Sequence, residues 1–280
     1  MKKYVLPAVV LAACVVILSV LGHRQDVRTG PSSTGAPVAA ASAVQSGDRH
    51  PTLVAHAGGA VYGYRLTNAR EALDQAYLSG FRYIELDFSL TTDAQIVLIH
   101  DWEGCAQRLL GSPGRRSLAD FTSARPMAGL HLMTLDDLLQ WLHAHPDCSV
   151  ITDTKEEDNA SFLQQLLSQA GDQSASFIPQ AYSYDEFTML RSLGCERVIL
   201  SLYKMDPDFS ALPQFAQEQK PWAVTLPEAY AEQGLLTALS QTGTAVYAHT
   251  VDSVDFYDEW KDAGLTGIYT NYFSPARWLY

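Results

Sequence analysis

From Pro51 onward, apolar runs of strand length alternate with stretches in which apolar positions recur every three to four residues. The runs predict strands over 52–56, 82–87, 96–100, 149–154, 177–182, 197–202, 222–226, 245–250 and 267–270. The stretches between them predict helices with recognisable ends. Asn68-x-x-Glu71 has capping-box spacing ahead of Ala72, Leu73, Ala76 and Tyr77, and Gly80 can close that helix. Thr134-x-x-Asp137 opens a helix bearing Leu138, Leu139, Trp141 and Leu142. Ser183-x-x-Glu186 opens another that Gly194 can end, and Ser253 can cap a last one closed by Gly264. Strand then helix, repeated about eight times, predicts an α/β fold: a TIM-type (β/α)8 barrel over residues 51–280. Only eight residues separate Asp87 from Ile96, too few for a helical crossover, so one of those segments is expected to be a hairpin excursion. A doubly wound open sheet is the alternative. It would want a glycine-rich phosphate turn after the first strand, and Ala57-Gly58-Gly59-Ala60 does not fit that spacing.

The N-terminus follows another pattern. Lys2 and Lys3 precede an apolar run from Tyr4 to Gly22, long enough as a helix to span a bilayer core. Residues 1–22 therefore read as a signal anchor or a signal peptide, with cleavage near Gly22 or lipidation at Cys14 as the processed alternatives. Residues 23–50, rich in Gly, Pro, Ser, Thr and Ala, read as a flexible linker. These readings place the domain outside the cytoplasm, membrane-anchored if the segment is retained and secreted or periplasmic if it is cleaved.

Net charge is −12, and residues 51–280 carry fourteen basic against twenty-nine acidic side chains. A domain this acidic repels nucleic acid, which is excluded as a partner, and anionic headgroups unless a cation intervenes. Cys105, Cys148 and Cys195 show no CxxC spacing, which removes a zinc or redox reading and leaves at least one free thiol; Cys148 and Cys195 are the pair that could bridge.

The predicted strands end in polar residues, where a barrel does its chemistry. The first ends in His56, followed by two glycines that allow close approach of a ligand. In Tyr83-Ile84-Glu85-Leu86-Asp87-Phe88, alternation sends Ile84, Leu86 and Phe88 toward the helices and Glu85 and Asp87 into the barrel mouth. Two such carboxylates repel unless a shared proton, a basic partner or a hard cation offsets them. Ile96–Ile99 leads to His100-Asp101, where Asp101 could orient His100 although neighbours on a strand point apart. Asp153 and Lys155 share one face of the fourth segment, as an ion pair or as part of the same site. Glu85, Asp87 and Asp153 could hold Mg²⁺ or Ca²⁺ through oxygen, and Lys155 could offset the charge of a bound phosphate.

These residues carry a family resemblance. His56-Ala57-Gly58-Gly59, Asn68-x-x-Glu71-Ala72, Gly80 through Asp87, Thr92-x-x-x-x-Val97-x-x-His100-Asp101 and Asp153-x-Lys155 resemble the glycerophosphodiester phosphodiesterase family, with weaker matches at Thr250-Val251-Asp252 and Gly267–Asn271. The resemblance implies a divalent cation on Glu85, Asp87 and Asp153, an acid–base pair of His56 and His100, and hydrolysis of a glycerophosphodiester to glycerol 3-phosphate and an alcohol. The chain departs from that family at Ala57, where an Arg is usual, at Leu66-Thr67-Asn68-Ala69, at Asp153 in place of Glu, at Thr270-Asn271 and at His249. On this reading Asn68 is only a helix cap, and Gln180, Tyr182 and His249 line an altered substrate pocket. A phospholipase C- or D-like enzyme acting on membrane lipid, or a non-catalytic module binding a surface polymer, are the competing functions.

Overall fold

The computed structural model describes residues 50–278; the apolar segment and all of the linker but His50 lie outside the described residues. Among the described residues, no helix is long and apolar enough to cross a membrane. The strands are β1 (Leu53–Ala55), β2 (Tyr83–Leu90), β3 (Ile96–Leu98), β4 (Ser149–Thr154), β5 (Phe177–Ile178), β6 (Gln180–Ala181), β7 (Ile199–Ser201), β8 (Ala223–Pro227), β9 (Ala245–His249) and β10 (Gly267–Thr270). Neighbours run in the order β5-β4-β2-β1-β10-β9-β8-β7-β6. The two ends of that path, β5 and β6, are one stretch of chain interrupted by Pro179, which has no N–H to give to a ladder. The result is a parallel, nearly closed TIM-type α/β barrel.

β3 lies off this path. It pairs antiparallel with β2, Phe88 opposite Leu98 and Leu90 opposite Ile96. The predicted hairpin is therefore the 96–100 segment, and it ends two residues early, at Leu98. β2 overshoots its barrel neighbours, turns at residues 91–95 and comes back. The Ile99 N–H then donates to the Asp87 carbonyl at 3.1 Å. The chain is thus returned to the level of Asp87 just before His100.

The alternation in β2 sorts its side chains as expected. Ile84, Leu86 and Phe88 are fully buried with Leu73, Leu138, Trp141 and Phe162 in the layer between sheet and helices. Each contributes on the order of 2 kcal/mol of burial. A one-residue slip of register would exchange that layer with Glu85 and Asp87, so the apolar face holds the carboxylates in place. A smaller cluster of Val54, Ile151, Ile178, Ile199 and Tyr247 fills the barrel interior. A third packs Val97, Ile99, Trp102, Leu109 and Phe121 under the 99–134 segment.

Helix ends follow local chemistry in three of four predicted cases. Thr134 and Asp137 form a reciprocal capping box on helix Leu135–Ala144. Ser183 and Ser253 accept from Glu186 and Phe256 at the starts of helices Tyr184–Ser192 and Val254–Trp260. The fourth case is a correction. Helix Arg70–Leu78 begins after Ala69 with no side-chain cap. The Arg70 N–H instead donates to the His131 carbonyl at 2.9 Å, and Glu71 accepts from the His131 N–H at 2.9 Å. A neighbouring segment caps this helix, which releases Asn68. Cys105, Cys148 and Cys195 are free thiols, so Cys148 and Cys195 do not bridge.

Candidate active site

β1 stops at Ala55 and His56–Gly58 form a single tight turn, with Ala57 at φ +48 and Gly58 at φ +81. A Cβ on Gly58 would come within 3.1 Å of Ala72 and Leu73, so the turn presses on helix Arg70–Leu78 closely enough to require glycine. The turn points the Ala57 N–H at Glu85 Oε2, 2.8 Å away. It sets His56 Nε2 3.9 Å from the same carboxylate.

The other ring nitrogen fixes the tautomer. His56 Nδ1 lies 3.0 Å from Asn271 Oδ1. Asn271 Nδ2 donates to Asp252 Oδ2 at 2.9 Å and its N–H to Asp252 Oδ1 at 2.8 Å. A carboxylate only accepts, so the Asn271 amide must turn its oxygen to His56. His56 Nδ1 therefore donates, and Nε2 is the free nitrogen.

His100 is oriented differently. Because β3 has ended, His100 and Asp101 need not splay apart, and His100 Nδ1 lies 2.8 Å from Asp101 Oδ2. Asp101 Oδ1 accepts from the N–H groups of Glu103 and Cys105, at 3.0 and 2.9 Å. Burial works against the charge on Asp101, but the Cys105 N–H and His100 outweigh it and hold the carboxyl well below the usual range.

β2 and β4 pair with Asp87 directly opposite Asp153. Glu85, Asp87 and Asp153 bring carboxylate oxygens within 4.8 Å of one another, so the three could hold a metal ion. Burial, with Asp87 and Asp153 adding to it, raises the Glu85 pKa well above the ordinary carboxylate value. Glu85 Oε1 is buried with no hydrogen-bond partner. Lys155 Nζ sits 2.9 Å from Asp87 and 2.6 Å from Asp153. Burial opposes charge on Asp153 too, yet Lys155 and Lys204 bring its pKa down to about 2. Lys155, and Lys204 at 3.8 Å from Asp153, set two ammonium groups against three carboxylates in a buried space, with the unpartnered Glu85 oxygen still facing it. That arrangement fits a divalent cation bound through oxygen.

The remaining predicted residues divide. His100, His56, Asp153, Lys155 and His249 line one cavity of about 320 Å³. His249 has Nε2 buried without a partner, and burial brings its pKa down to about 4. Tyr182 does not line the cavity; its hydroxyl donates to Asp153 Oδ1 at 2.5 Å. Gln180 does not line it either: its side chain donates to the Thr152 carbonyl at 2.9 Å inside the barrel. A larger cavity of about 670 Å³, at Leu167, Phe177, Cys195 and Arg197, holds none of the polar cluster.

Four positions escaped the reading of the sequence as site residues. Asn68 donates to Asp87 Oδ2 at 2.8 Å and accepts the Asp87 N–H at 2.9 Å. Tyr203, just past the end of β7, donates to Asp153 Oδ1 at 2.7 Å, and the polar-strand-end rule could have found it. Asn271 and Asp252 orient His56, and only their place in the closing motifs hinted at it.

Carboxylates and imidazoles collected at the strand ends of a parallel barrel define a class, the α/β-barrel enzymes that work at one mouth of the fold. The family follows from comparison. Residues 56–274 match the model of the glycerophosphoryl diester phosphodiesterase family, and the chain belongs to this family of phosphoric diester hydrolases. It is 36% identical over 109 residues to "Probable glycerophosphodiester phosphodiesterase 2" of Mycobacterium tuberculosis, a match covering 38% of this chain and 40% of that relative. The chain thus matches less than half the length of this curated relative. Among solved structures, an Oleispira antarctica phosphodiesterase in complex with the product sn-glycerol-3-phosphate is similar with TM-score 0.65 and 16% identity, over 79% of this chain and 93% of that one. A glycerophosphodiester phosphodiesterase from Agrobacterium tumefaciens is similar with TM-score 0.59 and 18% identity, over 80% and 97%. At these identities the likeness is one of fold.

Proposed function

We propose that this chain hydrolyses glycerophosphodiesters to glycerol 3-phosphate and an alcohol, with His56 and His100 as the acid–base pair. The observation that carries the reading is one cavity lined by both imidazoles, Asp153 and Lys155, with Glu85 and Asp87 gathered at Asp153. Family membership, the name of the mycobacterial relative and the product held by the Oleispira enzyme agree with it.

The second partners of the two rings support a division of roles. His56, with Nδ1 donating to a neutral amide, keeps a lone pair on Nε2 and takes the proton from the attacking hydroxyl, of water or of the substrate's own neighbouring carbon. The new P–O bond forms as the bond to the alcohol breaks; where the substrate's own hydroxyl attacks, the cyclic phosphate formed is then opened by water, the two rings exchanging roles, to give glycerol 3-phosphate. His100, whose Nδ1 faces a carboxylate able to stabilise an imidazolium, is the partner that gives a proton to the leaving alkoxide. Glu85, Asp87 and Asp153 would hold Mg²⁺ or Ca²⁺, which would supply charge neutralisation for the phosphoryl oxygens. Lys155 holds Asp87 and Asp153 in place and adds positive charge beside them. Residues 1–22, read as an export segment, would put this reaction outside the cytoplasm, with the membrane as the neighbour of a retained anchor.

The test is a panel of glycerophosphodiesters and intact phospholipids assayed with Mg²⁺, with Ca²⁺ and with EDTA. Turnover of the water-soluble diesters that EDTA abolishes is expected. Preference for intact phospholipid would favour the phospholipase C- or D-like reading, full rates in EDTA would remove the cation, and no cleavage of any phosphate ester would leave a binding module.

A further inference from the structure

The cations near the carboxylates are already engaged. The Lys155 ammonium lies between Asp87 and Asp153. Lys204 donates to the Thr154 carbonyl at 2.7 Å, sits over the Tyr182 ring and does not line the cavity. Arg65 does line it, with His56 and His100, and among the described residues no ion pair engages its guanidinium.

The backbone carrying Arg65 is held on both sides. Val61 and Tyr64 exchange two N–H···O bonds of 2.9 Å, closing a tight turn just before it. Arg108 Nη2 donates to the carbonyls of Arg65 and Leu66, at 2.8 and 3.2 Å. Arg108 belongs to helix Gly104–Leu110, and the Cys105 N–H of that helix donates to Asp101, the carboxylate that orients His100. Arg65 and His100 are thus referenced to one helix. Ala57 cannot serve in place of Arg65: it is fully buried and its N–H is spent on Glu85.

We propose that Arg65 is a substrate-binding residue, its guanidinium reading the phosphoryl oxygens of the diester and of the phosphomonoester product. A guanidinium offers paired N–H donors in a plane that matches two phosphate oxygens, which an ammonium cannot. In a domain with fourteen basic and twenty-nine acidic side chains, an unpaired cation at this mouth is also what an anionic substrate needs to approach. The proposal rests on the phosphodiesterase reading above.

The experiment compares wild type with Arg65→Ala, Arg65→Gln and Arg65→Lys. It measures hydrolysis of a glycerophosphodiester, competitive inhibition by glycerol 3-phosphate, and calorimetric binding of inorganic phosphate with the cation present. Losing charge-assisted hydrogen bonds of this kind should lower kcat/KM and weaken both anions roughly 10- to 100-fold in the Ala and Gln variants. Arg65→Lys should recover part of that loss, and added guanidinium should restore part of the Arg65→Ala rate, which a merely structural role would not allow. Circular dichroism and melting should be unchanged, because the side chain is exposed. Anion affinities within twofold of wild type in Arg65→Ala and Arg65→Gln would overturn the proposal. Phosphate binding is measured without turnover, so a wild-type enzyme that cleaved none of the diesters would fail the parent reading and still leave Arg65 judged.

Discussion

Asn68 is the position at which the structure makes its sharpest prediction. Asn68 and Asp87 are both fully buried, so no water can replace what Asn68→Ala removes. The substitution deletes the donor on Asp87 Oδ2, 2.8 Å away, and the acceptor of the Asp87 N–H, 2.9 Å away. A hydrogen bond to a charged group contributes about 1.5–3 kcal/mol, and a buried N–H left unpaired costs about 1–3 kcal/mol. Asn68 also sits at φ +49, where alanine adds about 1 kcal/mol that asparagine tolerates better. Allowing for partial relaxation, Asn68→Ala should destabilise the domain by about 4 kcal/mol, which is on the order of 10 °C in Tm for a domain of this size. Asn68→Gly separates the contributions: it relieves the backbone strain and leaves both hydrogen bonds broken, so it should recover only about 1 kcal/mol. Urea unfolding followed by circular dichroism measures both variants, with activity at saturating cation in parallel. Asp87 released from its partner should also bind the cation more weakly. Asn68→Ala within 1 kcal/mol of wild type would mean that the pair does not hold Asp87, and the account of why Asn68 is not a helix cap would fall with it.

Further outcomes follow from the same contacts. His56→Ala and His100→Ala should each lower kcat by about 10²–10⁴ with the fold intact, and near-normal rates in either would remove that residue from the acid–base pair. Asp101→Asn keeps an oxygen for the Glu103 and Cys105 N–H groups but turns an NH₂ toward His100 Nδ1, leaving a neutral ring that is a poor acid; kcat should fall about 10²-fold or more while melting barely moves, and an unchanged kcat would separate Asp101 from the chemistry. His249 gives a pH dependence of stability. In the unfolded chain it takes a proton near its ordinary value of about 6.5, whereas in the folded domain burial delays this to about 4. The unfolded state therefore binds the extra proton between those values, and His249 lowers stability progressively as pH falls from about 6.5 to 4, by on the order of 3 kcal/mol. His249→Gln should flatten that part of the curve in urea titrations; an unchanged slope would show that His249 does not titrate there.

What was legible in the sequence was what one segment decides by itself. The period-two alternation of β2 set Glu85 and Asp87 against Ile84, Leu86 and Phe88, because a pleated strand has only two faces. The eight residues between Asp87 and Ile96 left room for a hairpin and nothing else. Capping at Thr134, Ser183 and Ser253 was equally local. Asn68 was misread for a related reason. Its spacing to Glu71 is that of a cap, but a buried carboxylate nineteen residues away gains more from its amide than a helix end that His131 can satisfy. Gln180 was misplaced because a polar residue inside a parallel barrel can be consumed by its neighbouring strand.

The order of apolar and polar residues along this chain was enough to determine a barrel, the faces of its strands and the side chains available for chemistry at their ends. Only the tertiary structure decided which donor meets which charge: Asn271 against His56 across 215 residues, Tyr203 against Asp153 across 50. The physical reason is that periodicity and turn chemistry act between near neighbours on one segment, whereas a buried charge is satisfied by whatever the closed fold brings to it, however distant in sequence.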